Sequence, residues 1–99
     1  MIVYSINNVP VRLTEERWFH IVENHNDLAG RYDDILIAIE NPDIVQQGYR
    51  DALLAIKRIK MNRWLVVVYK EIDDDDGFVV TAYQTSKIKL GGVLWRKKT

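Results

Sequence analysis

The chain has no cysteine, which excludes disulfides and thiolate chemistry alike. Nor does it contain an apolar run approaching the roughly 18 residues of a membrane-spanning helix. A signal-peptide layout is also missing, and the expectation is a cytoplasmic protein without membrane contact. The 99 residues show no linker, low-complexity tract or internal repeat, so one domain over 1–99 is expected. Net charge is absent too, the formal balance being zero. What is present is the composition of a folded globular protein, 47% apolar and 10% aromatic.

The zero balance conceals an asymmetry. Residues 1–49 carry three basic side chains (Arg12, Arg17, Arg31) against eight acidic ones. Residues 50–99 carry eleven basic against six acidic, and four of those six form the run 73–76. The basic half can create a local positive field in a neutral protein. Its lysines and arginines suit phosphate binding, and equally the protection of strand edges.

The order of elements reads as helices first and sheet second. Residues 2–6 and 9–13 can pair as a hairpin around Asn7-Asn8. Thr14 is placed to cap a helix, and Glu15 and Glu16 favour its positive end. Trp18, Ile21, Val22 and Leu28 supply an apolar stripe. A second helix is expected over 32–40, stopping before Asn41-Pro42, and a short edge strand over 44–49. Residues 53–61, 63–72 and those from Phe78 onward read as an antiparallel meander. It turns near Asn62 and at Asp76-Gly77. This pattern predicts an α+β fold with helices on one sheet face and the other face open.

The third of these strands has the pattern with most chemical content. Simple alternation puts Phe78, Val80 and Ala82 on one face, and Thr81, Tyr83, Thr85 and Lys87 on the other. The second set spaces hydroxyls and an ammonium about 6.5 Å apart. That row suits an anion; threonine and tyrosine are also ordinary residues of a solvated strand.

Metal chemistry has little support. Four adjacent aspartates do not alternate as calcium-loop ligands do, and no glutamate closes the run. His20 and His25 are about 140° apart on a helix and poorly placed to share an ion. No metal or cofactor is expected. His20 shares a helix side with Arg17 and Asn24 and is a candidate acid or base. His25 falls near the helix end, where an imidazolium also has a structural use.

Several stretches carry a resemblance. They are Val11-x-Leu13-Thr14-x-Glu16-Arg17-Trp18-x-His20-Ile21, His25-x-x-Leu28 and Ala38-Ile39-x-Asn41-Pro42-Asp43, followed by Leu65-Val66-Val67-Val68 and Val79-Val80-Thr81-Ala82-Tyr83-x-Thr85-x-Lys87-Ile88-Lys89. Together they resemble phage-type nucleases of the barnase, EndoU, colicin and RelE superfamily (the BECR fold) over roughly residues 11–90. One departure is His25-Asn26, where that family often reads His-Pro. The resemblance implies two N-terminal helices on one face of an antiparallel sheet of about four strands, barnase/RelE-like. It also implies metal-independent RNA cleavage, often in toxin or conflict systems, with a cognate antitoxin or immunity protein as partner.

The residues are chemically compatible with that activity. Metal-free RNA cleavage needs a base for the 2′-hydroxyl, charge stabilisation at phosphorus and an acid for the 5′ oxygen. His20 is the first candidate for proton transfer and His25 the second, with Tyr83 as a further donor. Thr81, Tyr83 and Thr85 can orient a phosphate, which Lys87, Arg63 or Arg17 can stabilise. The alternatives are a non-catalytic binding module of antitoxin, immunity or regulatory type, and a homodimer built on an edge strand. A histidine within about 6–8 Å of the threonine–tyrosine row separates the nuclease from the binding module.

Overall fold

The computed structural model describes residues 1–98. The N-terminal hairpin pairs β1 (Ile2–Tyr4) with β2 (Pro10–Arg12). Thr14 then caps α1 (Glu15–Asn24), its hydroxyl accepting the Arg17 N–H at 3.1 Å, with Glu15 and Glu16 in the first turn. Ile21 is buried and Trp18 packs edge-on against Tyr32, ring centroids 5.3 Å apart. A 3₁₀ turn over Asn26–Leu28 buries Leu28, and Gly30, at φ +82°, permits the reversal into α2 (Tyr32–Glu40). Ile35, Leu36, Ala38 and Ile39 of α2 are buried.

The remaining strands are β3 (Ile44–Gln47), β4 (Leu53–Lys60), β5 (Arg63–Asp73), β6 (Asp76–Thr85) and β7 (Val93–Arg96). Their order in the sheet is β1-β2-β6-β5-β4-β3-β7. This overturns the expected barnase/RelE-like fold, two N-terminal helices on an antiparallel sheet of about four strands. The sheet has seven strands, is mixed through the parallel β2–β6 pair, and curves into a half-barrel. The miss has a physical cause. The strands β1, β2 and β3 lie within the expected strand stretches, but β7, four residues long, prints no period, and the pairings of β2 with β6 and of β7 with β3 join distant segments and leave no local signal. The expected edge strand, β3, is interior, flanked by β4 and β7.

Two apolar clusters lie on the two faces of this sheet. On the helix face, Leu65, Val67, Tyr69, Val79 and Ala82 pack with Val11, Leu13, Ile21, Leu28, Ile35 and Ile39. On the second face, Ile44, Ile56 and Val66 pack with Leu54, Trp64, Tyr83, Ile88 and Val93. The register between β5 and β6 shifts between Val68 and Tyr69, which pair with Thr81 and Val79. Val80 is therefore the extra residue of a bulge. Simple alternation fails there: Val79 and Ala82 share the helix face, and Phe78 and Val80 do not join Ala82 on it. Val80 and Val68 are consequently half-buried rather than buried.

Gly77 makes the parallel contact possible. It pairs with Val11 on one side and Glu71 on the other. A Cβ there would lie 2.7 Å from the Lys70 carbonyl oxygen and 3.3 Å from that of Pro10. Backbone on both sides leaves little room to yield. Gly77→Ala should lower the unfolding free energy by about 1–3 kcal/mol, as overpacking does, in a urea titration.

Tyr69 is fully buried and its hydroxyl has no hydrogen-bond partner among the described residues. Burial, with a smaller contribution from Glu71, raises its pKa above the ordinary tyrosine value. The unfolded chain thus releases this proton first, and stability falls as pH rises past about 10. Tyr69→Phe should be no less stable at neutral pH and should flatten this alkaline loss, read from denaturation midpoints across pH.

Candidate functional site

The β6 strand follows β5 along its length but meets β2 only at Gly77 and Phe78. From Val79 to Thr85 its other edge faces α1 and the 3₁₀ turn instead of a strand. Three side chains cover that edge. Arg17 donates to the Val80 carbonyl at 3.3 Å. Gln84 donates to the Asp27 carboxylate at 3.0 Å. Between these ties, His25 brings its ring to 6.4 Å from that of Tyr83, tilted by 38°. Helix α1 thus folds over the sheet edge, and a histidine meets the threonine–tyrosine row.

That histidine is His25. His20 is exposed on the outer side of α1, beside Glu16, Phe19 and Glu23 along a surface groove. Its placement follows from helix geometry: Ile21 points inward, and His20 lies about 100° from it. His25, four residues beyond Ile21, returns to the inward side. It is also the C-cap, its N–H bonded to the Ile21 carbonyl at 2.8 Å, so backbone geometry fixes its position.

Tyr83 sits in a cross-strand row with Val66, Ile56 and Ile44, which supports its ring from below. Thr81 pairs with Val68 and Thr85 with Trp64, so both threonines flank Tyr83 on the second face. A hollow of about 200 Å³ opens there, its rim formed by Tyr83, Thr85, Lys87 and Lys89. Ile88 packs on the apolar floor, and Gln46 donates to the Lys89 carbonyl at 3.2 Å, holding the 86–92 segment against the sheet. Among the described residues no carboxylate lines this hollow.

The other expected contributors divide. Lys87 lies beyond the strand end but joins the rim. The Thr85 hydroxyl donates to the Lys87 carbonyl at 2.7 Å and accepts the Lys87 N–H at 3.1 Å, so it terminates the strand as well as facing the hollow. Arg17 belongs to the edge seal. Arg63 is not brought to the row; alternation puts it with Leu65 on the helix side. Lys89 was missing from the expected site because no period marks it. Arg58 stays outside the hollow: its guanidinium covers Trp64 at 5.5 Å and donates to the Lys60 and Met61 carbonyls.

The aspartate run performs two structural tasks. Asp73 accepts the Asp75 N–H at 2.8 Å, and Asp76 pairs with Arg12 across the β2–β6 contact. Among the described residues no group of three or more His, Cys, Asp or Glu is assembled to hold a metal. No described helix is long and apolar enough to cross a membrane. Compared with protein-family models, curated proteins and solved structures, the chain matches none.

The edge seal predicts a local effect. Arg17→Met keeps much of the apolar stem and deletes the bond to Val80. Amides of residues 79–85 should exchange faster with solvent while those of β4 and β5 hold their protection, measured by hydrogen exchange.

Proposed function

We propose that this protein is a small metal-independent endoribonuclease in which His25 and Tyr83 carry the proton transfers. The observation behind it is the 6.4 Å approach of the His25 ring to that of Tyr83, which itself lines a hollow with Lys87 and Lys89. The likeness of the sequence to BECR nucleases supports the same reading, as an affinity of motifs and not of architecture.

The chemistry balances with these groups. His25 takes the proton of a ribose 2′-hydroxyl as its oxygen bonds to phosphorus. The phosphorus–5′-oxygen bond breaks, and the departing oxygen receives a proton from the Tyr83 hydroxyl. The products are a 2′,3′-cyclic phosphate and a 5′-hydroxyl end, and solvent returns the His25 proton to the phenolate. Lys87 and Lys89 offset charge that builds on the phosphate oxygens. Thr81 and Thr85 orient it, and Tyr83 offers a ring on which a base can stack. The acidic helix layer, which carries His20, Glu16 and Glu23, is then free to receive an antitoxin or immunity protein.

Purified protein with EDTA and total RNA should produce fragments ending in cyclic phosphate. His25→Ala and Tyr83→Phe should each lose about 100- to 10,000-fold in rate while melting like the parent. His20→Ala should cleave at the parental rate; a large loss there would move the chemistry to the outer face of α1. RNA affinity should fall as salt rises, because bound phosphates release counterions. Intact RNA after incubation with protein on the order of micromolar would overturn the nuclease and leave the face to binding.

A further inference from the structure

A second hollow lies beside the first, at the β3–β4 loop. Its volume is about 450 Å³, within the range of ligand sites. Leu54, Val68 and Val80 form an apolar floor, with Tyr49, Arg50 and Lys70 around it. Leu54 borders both hollows. Along β6, Val80 and Tyr83 are three residues apart, about 10 Å. One extended strand of RNA can therefore occupy both.

We propose that this hollow is a second nucleotide subsite, taking a base and its phosphate from single-stranded RNA; this rests on the nuclease reading. Three observations point to that occupant. Tyr49 is 80% exposed, so its ring is open to a stacking partner. The Arg50 guanidinium lies 5.3 Å from the Tyr49 ring, so a flat π-surface and a positive charge are presented together. Lys70 adds a second cation, and no lining residue is acidic; the neighbouring Asp51 lies outside the lining. An aromatic face, an apolar floor and two cations match an unstacked nucleotide, whose base stacks while its phosphate meets the charges. Paired bases in a duplex cannot present their faces in this way.

The backbone supports the assignment. Arg50 adopts φ 53° and ψ 55°, and Asp51 follows at φ 65°. Two successive non-glycine residues in the left-handed region are held at a conformational cost. Glycine at position 50 would relieve that cost, so an arginine there is informative.

The test uses the His25→Ala chain, so that RNA is not consumed, and a fluorescent single-stranded oligonucleotide of about ten nucleotides. Tyr49→Ala should weaken binding roughly 5- to 150-fold, the loss expected for one stacked base, and Tyr49→Phe should restore it. Arg50→Gly should melt no lower than its parent yet bind RNA more weakly, separating a ligand contact from a structural one. Fully paired duplex RNA should be insensitive to Tyr49→Ala. Unchanged affinity in Tyr49→Ala and Arg50→Gly, with RNA still bound or cleaved by the parent chain, would overturn the subsite and leave the nuclease standing. A parent chain that neither binds nor cleaves RNA would overturn both.

Discussion

The interrupted partnership of β6 is the constraint on which the rest depends. A strand in a sheet has two rows of backbone groups to satisfy, and a buried one left open costs about as much as a lost hydrogen bond. Here β2 covers only the start of one row, at Gly77 and Phe78. Farther along, the Arg17 side chain of α1 satisfies the Val80 carbonyl, and Gln84 of β6 reaches out to the Asp27 carboxylate of the 3₁₀ turn. Those ties fix the helix beside the strand, and His25 lies between them. Had β2 run the full length of β6, the histidine and Tyr83 would be separated by a strand. Gly77 sets the limit from the other end, because only a residue without a side chain lets β2 come so close.

This arrangement turns a charge asymmetry along the sequence into one across the molecule. The acidic residues Glu15, Glu16, Glu23, Asp33, Asp34 and Glu40 ride on the two helices, whereas Lys70, Lys87 and Lys89 surround the second sheet face. Opposite fields on opposite sides let one neutral domain attract a polyanion on one face and repel it from the other. A wrongly oriented encounter with the RNA of the proposed function is then disfavoured, and surface lysines alone, interspersed with carboxylates, would not give this orientation.

Local rules written in neighbouring residues were legible in the sequence. Thr14 with Glu15 and Glu16 announces the start of α1 and Asn41-Pro42 the end of α2, whereas the β5–β6 reversal falls at Asp74-Asp75, ahead of the expected Asp76-Gly77, both of which already belong to β6. Long strands also showed, since β4, β5 and β6 give eight or more residues each to read. What stayed hidden depends on distant partners. The bulge at Val80 leaves no trace in a periodic pattern, so Phe78 and Val80 were put on one face with Ala82. The choice between His20 and His25 turned on how α1 meets the sheet edge. Helical spacing relative to Ile21 held the clue, but only once that edge was known to be open. Strand β7 depends on its pairing with β3, and the path of 86–92 is tied by a bond from Gln46 to Lys89, 43 residues apart.

Tyr83 shows why the second face is at once core and site. Its ring rests on Val66 and Ile56, so it is positioned by the packing that stabilises the sheet. Packed side chains in rotamer minima tolerate little displacement, which gives a reacting group its fixed geometry without further hydrogen bonds. The cost is that its role in stability and its proposed role in chemistry cannot be separated by truncation: deleting the ring leaves a cavity as well as removing the hydroxyl. Tyr49 lies at the other extreme, supported by little and mostly exposed. In the proposed nuclease, a fixed tyrosine would serve where bonds change and an adaptable one where a base only stacks, because catalysis penalises misplacement of about 1 Å far more steeply than binding does.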